Sequence, residues 1–153
     1  MKKIIALLMI VTFITVGAHA QKLIESEVPN VVKIKVATLY PDSKVEWMKN
    51  VDGNYQADLD ENNTEICLTI SIQGHLLNTK IKISVADLPT SVTDFVFKNK
   101  PGKQITSAFK ETDVNGTLTN YKANVEKTCL IFDSKGVYLY SITKDREYMK
   151  YQN

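Results

Sequence analysis

Two stretches of the chain resemble each other: EICLTISIQGHLL at residues 65–77 and EKTCLIFDSKGVYL at residues 126–139. In each, a cysteine (Cys67 or Cys129) lies in an apolar run, seven residues before a glycine. The residues around each cysteine alternate as they do in a β-strand whose two faces meet different surroundings. The leucine phase (Leu68, Ile70, Ile72, Leu130 and Phe132) is therefore predicted to face the helices, and the cysteine phase the opposite side of the sheet.

The similarity extends outward at an offset of 60 to 66 residues. The offset changes only across Gly- or Asn-rich stretches, where insertions are tolerated. The chain is therefore predicted to contain two copies of one unit, residues 21–86 and 87–143. The matched residues include Pro29 with Pro89, Val32 with Val92, Val36 with Val96, Pro41 with Pro101, Val45 with Ile105, and Gly74 with Gly136.

Each unit is predicted to form one helix followed by four strands. Pro29 and Pro89 suit the first turn of a helix, and Pro41 and Pro101 end it. The first helix is rich in β-branched residues, which by propensity alone half-favour a strand. Its predicted buried face is Val28, Val32, Val36 and Leu39, and that of the second helix is Leu88, Val92, Phe95 and Val96.

The strand-like runs are separated by hairpin signals such as Asp52-Gly53, Asn62-Asn63 and Gln73-Gly74. Consecutive hairpins imply an antiparallel sheet, and one helix per unit implies the α+β class. The predicted strands lie near 44–49, 54–60, 65–72 and 75–83 in the first unit, and near 104–111, 118–126, 128–133 and 136–143 in the second.

The unit resembles the PepSY-like, β-lactamase-inhibitor-protein-like (BLIP-like) small periplasmic proteins of Bacteroidetes, of the DUF2874 type, over essentially all of residues 22–143. The first unit departs from that pattern at Ile70-Ser71, where Phe-Asp is expected, and the second at 104–107, which lacks the tryptophan. The resemblance implies one eight-stranded antiparallel sheet with both helices on one face, and no catalytic residues. The matching motifs are Tyr40-Pro41, Lys44-Val45-Glu46-Trp47 and Asp52-Gly53-x-Tyr55 in the first unit, and Phe132-Asp133-x-x-Gly136 in the second.

The N-terminus, MKKIIALLMIVTFITVGAHAQK, has the three parts of a secretory signal peptide. Two lysines precede an apolar run, and small residues at 18 and 20 predict cleavage after Ala20. The alternative is a membrane anchor, but the apolar run is shorter than the roughly 20 residues that a spanning helix needs. We therefore expect a periplasmic or secreted protein that is not inserted in the membrane after cleavage.

Removal of residues 1–20 balances the charge of the chain. The full sequence has 19 Lys and Arg against 17 Asp and Glu. The signal peptide takes away Lys2 and Lys3, so the mature chain has 17 of each and a net charge of zero. A balanced charge supplies no electrostatic attraction to nucleic acid, and none is expected as a partner.

The sequence lacks recognisable catalytic or metal-binding constellations. His75, the only histidine after residue 20, follows a predicted turn, and no G-x-S-x-G or phosphate-binding glycine loop is present. The segment DLDENNTE at 58–65 has the oxygen spacing of a calcium loop, but Asn63 and Thr69 replace the required glycine and glutamate, which favours an acidic hairpin turn. Two cysteines and one histidine are a poor zinc ligand set. We expect no catalytic residue, metal or cofactor.

Two aromatic features of the sequence each allow more than one interpretation. Trp47 and Tyr55 could form a binding platform, but the shared phase of Val45 and Trp47 favours a place for Trp47 in the core. The tail at 144–153 carries Tyr148 and Tyr151 among charges. It could be a frayed end or an added edge strand.

The cysteine phase of the sheet is the predicted binding surface, since two helices cannot cover both faces of eight strands. The hypothesis is a non-catalytic binding or inhibitor-like module with a protein or peptide partner in the cell envelope. Small-ligand sensing between the two halves and a small hydrolase are the alternatives. The candidate residues are Glu46, Met48, Gln56, Asp58, Cys67, Thr69, Ser71, Cys129 and Ile131.

Export places both cysteines in an oxidising compartment, where disulfides are common. Cys67 and Cys129 nevertheless occupy equivalent third strands, which lie at least three strand positions apart in a single sheet. At about 4.8 Å per position, that separation exceeds the roughly 7 Å between Cα atoms that a disulfide allows. We therefore predict two cysteines that face the same side of the sheet without forming a disulfide.

Overall fold

A computed structural model describes residues 21–50 and 52–143. The predicted signal peptide and the tail at 144–153 lie outside these residues. The described chain forms two helices and one antiparallel sheet, so the α+β prediction is confirmed. None of its helices combines the length and apolarity needed to cross a membrane.

The strands lie side by side in chain order, so each strand pairs with the strands before and after it. The two helices are α1 (Asn30–Leu39) and α2 (Thr90–Asn99), each preceded by a short 3-10 turn. The strands are β1 (Gln21–Leu23), β2 (Val45–Lys49), β3 (Tyr55–Glu61), β4 (Thr64–Ile70), β5 (Leu76–Ile83), β6 (Ile105–Asp113), β7 (Leu118–Val125), β8 (Thr128–Asp133) and β9 (Tyr138–Thr143).

The described sheet has nine strands, so the prediction of eight is wrong by one. The additional strand is β1, which pairs antiparallel with the end of β2 (Leu23 opposite Trp47). Three residues are too few to show the alternation that marks a strand in sequence. An ion pair of 3.2 Å between Lys22 and Glu46 also links the two strands.

Both helices form where the prolines predict them. Pro29 and Pro89 immediately precede the helices, and Tyr40 and Lys100 end them with hydrogen bonds from their N–H groups to Val36 and Val96. The β-branched residues of α1 are helical because Val32 and Val36, one turn apart, are buried against the sheet.

The helix faces are largely as predicted, with one error. Val28, Val32 and Val36 are buried in the first unit, but Leu39 is 43% exposed. Leu39 is the last residue of α1, and the following Tyr40 packs against the core instead. In the second unit Leu88, Val92 and Val96 are buried, and Phe95 packs against the same core.

The two units fill their cores with different side chains. Trp47 and Tyr55 are buried in the first core, so the core interpretation is correct and the exposed platform is not. In the second unit Ala108 takes the place of Trp47, since both lie opposite an alanine of the next strand (Ala57 for Trp47, Ala123 for Ala108). An aromatic cluster of Phe95, Phe132 and Tyr138 fills that core, with ring centroids 4.4–5.8 Å apart.

The leucine phase faces the helices as predicted, except at its end. Leu68, Ile70, Leu130 and Phe132 are all buried in the two cores. Ile72 is 51% exposed because β4 ends at Ile70 and the chain has already entered the turn to β5.

Four hairpin turns share one design, in which a glycine N–H donates to the backbone carbonyl three residues earlier at 2.9–3.1 Å. The side chain of that earlier residue also accepts a hydrogen bond from the N–H four residues later. Each glycine has a positive φ between 78° and 84°, a conformation that favours glycine. The pairs are Asn50 with Gly53, Ser71 with Gly74, Asp113 with Gly116, and Asp133 with Gly136.

Two of these glycines also contact the helices. A Cβ atom on Gly74 would lie 2.9 Å from the carbonyl oxygen of Val31 in the first turn of α1. A Cβ atom on Gly136 would collide with Ser91 at the start of α2. The glycine seven residues after each cysteine therefore allows the β4–β5 and β8–β9 turns to approach the helices closely.

We expect Gly74→Ala to lower the free energy of unfolding more than Gly53→Ala. Both glycines have a positive φ (+84° and +80°), which costs an alanine about 1–2 kcal/mol. Gly53 has nothing within 4 Å of an added Cβ, whereas at Gly74 the backbone of Val31 must also move. Urea denaturation of the two variants measures the difference, and equal losses would show that the approach of the turn to α1 contributes nothing.

Candidate binding groove

The sheet face away from the helices carries a groove of about 500 Å³. Its lining residues come from β3 to β8 and from the β2–β3 turn, and neither helix contributes. The strand register brings these lining residues together, because Cys67, Lys80 and Glu111 lie opposite one another on β4, β5 and β6. The groove therefore spans the junction between the two units, which is the β5–β6 pair. We call this surface the polar groove.

The structure places four of the nine predicted residues in the lining of the polar groove: Gln56, Cys67, Thr69 and Cys129. Cys67, Thr69 and Cys129 are at least nine-tenths buried, so they form its floor. A partner in the groove would therefore meet the side chains around them more than the thiols themselves.

The other five predicted residues lie outside the lining. Glu46, Met48, Asp58 and Ile131 share the face, since they lie opposite residues of that face on neighbouring strands. Ile131 is buried and Glu46 is exposed. Ser71 lies in the β4–β5 turn, where its hydroxyl accepts a hydrogen bond from the N–H of His75 at 3.2 Å, so its contacts are those of a turn residue.

Sequence reasoning missed the residues of β5, β6 and β7 in the groove. The alternation of β4 would have predicted these residues if the pairing of β5 with β6 had been known. That pairing joins two strands that are separated in the chain by α2. The missed residues are Leu77, Asn78, Lys80, Phe109, Glu111, Lys122 and Asn124, together with Asn50, Asp52 and Asn54 near the β2–β3 turn.

Charged side chains and one aromatic ring lie in the middle of the polar groove. Lys122 and Glu111 form an ion pair of 2.7 Å whose side chains are only 25% and 16% exposed. The Lys80 ammonium lies 5.4 Å from the centre of the Phe109 ring, within the range of a cation–π interaction. Partial burial strengthens such interactions relative to those of fully exposed charges. The groove can therefore offer charge, hydrogen bonds and a ring face to a partner.

The Cys67 thiol is held in its protonated form. Burial, followed by the negative charge and hydrogen bond of Asp58, raises the pKa of Cys67 to about 12, although the nearby Lys80 opposes the change. A thiol is a nucleophile only as the thiolate. Cys67 is therefore unreactive at neutral pH.

The two cysteines are four strand positions apart, on β4 and β8. At about 4.8 Å per position the path across the sheet is about 19 Å. Both are buried, and within the described chain they form no disulfide. The sheet topology thus supports the prediction that Cys67 and Cys129 do not pair.

The remaining sequence features are structural. Asn62 and Asn63 form the β3–β4 turn with φ values of 51° and 61°, so the acidic hairpin interpretation of 58–65 is correct. His75 is exposed in the β4–β5 turn. Among residues 21–50 and 52–143, no group of three or more His, Cys, Asp or Glu side chains is placed to hold a metal ion.

Solved structures similar to this chain come from Bacteroides. A protein of B. eggerthii described as periplasmic aligns with a TM-score of 0.66 and 14% identity, covering 76% of this chain and 88% of that one. A DUF2874 family protein of B. uniformis has a TM-score of 0.64 and 14% identity over 75% and 88% of the two chains. A BLIP-like protein of B. fragilis has a TM-score of 0.58 and 20% identity over 75% and 85%.

The chain has the fold of the DUF2874 and BLIP-like proteins. The resemblance recognised in the sequence motifs is thereby confirmed. No family model matches the sequence, and no curated protein matches it. The DUF2874 and BLIP-like fold supplies a scaffold but does not determine function, which depends on the side chains that this chain places on it.

We expect the stability of the fold to depend on the thiol of Cys67 at alkaline pH. Because the pKa of the Cys67 thiol in the folded state lies above its ordinary value of 9.0, the unfolded chain loses this proton first. The contribution of the protonated Cys67 thiol to the free energy of unfolding is complete below pH 9. It is lost progressively as the pH rises from about 9 to about 12. Chemical denaturation across this range measures it.

Cys67→Ser is the matched control for this pH dependence, since a serine hydroxyl keeps the hydrogen-bonding capacity but does not titrate. The difference in unfolding free energy between the native chain and the variant should shrink as the pH rises. A constant difference from pH 9 to 12 would contradict the raised pKa.

We expect Ser71→Asp to stabilise the protein by about 0.5–1.5 kcal/mol, the usual value of one hydrogen bond. Asp133 at the equivalent turn accepts from the N–H groups of both Lys135 and Val137, whereas Ser71 accepts only from His75. An aspartate at 71 can add the bond from Gln73. Thermal unfolding checks this, with Ser71→Ala as the variant that should lose stability.

Proposed function

We propose that the chain is a non-catalytic binding module of the periplasm, whose polar groove takes a protein or peptide segment. The observation that carries the proposal is the half-buried ion pair of Lys122 and Glu111 beside Lys80 and Phe109. The apolar Leu77, 39% exposed, lies at the same groove. Aromatic and apolar side chains anchor protein interfaces, and charged side chains contribute at the polar rim.

The periplasmic location rests on the signal peptide motif and on the similar protein of B. eggerthii that is described as periplasmic. We infer cleavage after Ala20, no membrane insertion afterwards and no nucleic-acid partner, since the mature charge is balanced. We also infer that residues 21–86 and 87–143 arose by duplication, which the repeated order of helix, four strands and glycine turns supports. The inhibitor-like character is suggested by the BLIP-like neighbour alone.

The enzyme alternative is poorly supported by the groove. The Cys67 thiol has a pKa raised to about 12, and His75, the one histidine of the described chain, lies in a turn outside the groove lining. Cys67 is therefore neither ionised nor accompanied by a histidine base in the groove lining.

Small-ligand sensing is the second candidate function, because a volume of about 500 Å³ falls within the range of ligand pockets. Such pockets usually enclose most of a ligand. The lining here comes from one face of one sheet, which favours an extended segment over an enclosed small molecule.

We expect Leu77→Glu to abolish partner binding and Leu139→Glu to leave it unchanged. The two leucines are matched, since each is exposed (39% and 48%) and each is skipped in the strand pairing, at the β4–β5 and β8–β9 irregularities. Only Leu77 lines the polar groove. Capture from native envelope extract by the mature chain, with quantitative identification of retained proteins, compares the two variants.

The proposal fails if the two variants retain the same proteins in the same amounts, or if the folded native chain retains nothing specifically. Circular dichroism of each variant confirms that the fold is intact, so a loss at Leu77→Glu can be assigned to the groove.

A further inference from the structure

One edge of the described sheet is formed by β9, and among residues 21–50 and 52–143 no strand pairs with its outer side. Its sequence, YLYSIT, has no charged residue, whereas each of the other eight described strands has at least one. Natural proteins usually keep edge strands short or charged, because a long uncharged edge pairs with other strands. The opposite edge follows this rule, since β1 has three residues and carries Lys22. The β9 edge therefore has the composition of a strand that is paired on both sides.

Comparison of the two units shows that the groove side of this edge has become apolar. β9 corresponds to the first part of β5, which is paired on its outer side with β6. Three positions that are polar in the first unit are apolar in the second: Thr69, Asn78 and Lys80 correspond to Ile131, Tyr140 and Ile142. The edge strand and its neighbour are thus more apolar than their counterparts inside the sheet, which is the reverse of what exposure to water favours.

These three residues of the second unit, Ile131, Tyr140 and Ile142, are contiguous, and we call them the apolar patch. Tyr140 lies opposite Ile131, and Ile142 lies opposite Cys129 in the floor of the polar groove. Ile131 is buried, Ile142 is half-buried and Tyr140 is 51% exposed. A strand placed beside β9 would cover Tyr140 and Ile142 with its side chains. It would also pair with the outer N–H and C=O groups of β9.

The chain itself supplies a segment of the required length. Residues 144–153, KDREYMKYQN, follow β9 directly, with four charged residues and then YMKYQN, which has six residues, as β9 does. Each described strand lies beside the strands that precede and follow it in the chain, so the next strand in the chain is expected beside β9. A segment joined to β9 by a short turn also has a higher effective concentration there than a second molecule.

The four charged residues resemble a turn that the sheet already contains. β7 and β8 are joined by the two residues Glu126 and Lys127, and Glu126 has a φ of 53°. Asp145-Arg146 repeats this order of an acidic and a basic residue, and aspartate is one of the residues that tolerate a positive φ. A two-residue turn at Asp145-Arg146 would place Lys144 opposite Glu147, which is an attractive cross-strand pair of charges.

The same turn fixes the register of the C-terminal segment against β9. Counting outward from the turn, Ile142 lies opposite Met149, and Tyr140 lies opposite Tyr151. Because side chains alternate along a strand, Met149 and Tyr151 then fall on the groove side, next to the apolar patch. A slip by one residue would move both of them to the helix side.

We propose that residues 147–153 form a tenth strand, which pairs antiparallel with β9 and covers the apolar patch with Met149 and Tyr151. The docking surface is the outer edge of β9, and its occupant is the C-terminal segment of the same chain. The added strand extends the groove face of the sheet and does not depend on a partner in the polar groove.

Nuclear magnetic resonance of the mature chain tests this pairing. We expect nuclear Overhauser contacts between the methyl groups of Ile142 and Met149 and between the rings of Tyr140 and Tyr151. Alternate backbone amides of β9 point away from β8. These outward amides should exchange their protons slowly, because they donate hydrogen bonds to the added strand.

Met149→Asp and Lys150→Asp are a matched pair of variants. Met149→Asp places a charge on the apolar patch and should raise the exchange rate of the outward amides of β9 by about tenfold or more. Lys150 would lie opposite Ser141 on the helix side, so Lys150→Asp should have a much smaller effect. Leu77→Glu, in the polar groove, should leave the exchange rate unchanged, which separates this proposal from the proposed function.

Three outcomes would overturn the proposal. The first is rapid exchange of the outward amides in the native chain, or an equal effect of the Met149 and Lys150 variants. The second is that the contacts between Ile142 and Met149 join different molecules in a mixture of labelled and unlabelled chains, which would make a second copy of the chain the occupant. The third is a set of contacts that places Met149 and Tyr151 away from the apolar patch.

Discussion

The close approach of each helix to one face of the sheet is the constraint on which the rest of the structure depends. Val32 and Val36 share a core with Ala57, and Val92 and Val96 share one with Ala108 and Ala123. The alanines, all fully buried, leave room for the helix backbone. Gly74 and Gly136 leave equivalent room at the start of each helix. Each helix thus buries one turn-spaced pair of valines against the sheet.

The same constraint leaves the other face without a covering layer. Two ten-residue helices lie on one side of nine strands, and the opposite face carries charged and amide side chains over a buried floor. The ion pair of Lys122 and Glu111 holds two charges in a partly buried place, which is costly unless they are paired. Asp58 and burial keep the thiol of Cys67 protonated in that floor. The Cys67 thiol of this face is therefore unreactive, whereas its charged and amide side chains can contact another molecule.

The two units show how one scaffold accommodates different chemistry. Trp47 fills the first core and has Ala108 as its counterpart, while Phe95, Phe132 and Tyr138 fill the second. The two cores are thus filled by different side chains, as packed cores tolerate when the substitutions compensate one another. At the surface no such compensation is needed, and equivalent positions differ freely, with Phe97 where the first unit has Ala37 and Thr93 where it has Lys33.

Much of the fold was determined by the sequence alone, because alternation, bracketing prolines and glycine turns are local signals. They placed both helices and eight of the nine strands within about two residues of their ends. The three residues of β1 were missed because they are too short to alternate, and Leu39 and Ile72 were misassigned because each lies where its element ends. The composition of the polar groove was decided only by the tertiary structure. Lys80 and Glu111 come from different units, and their proximity depends on the pairing of β5 with β6, a contact between segments separated by a whole helix that no local pattern encodes.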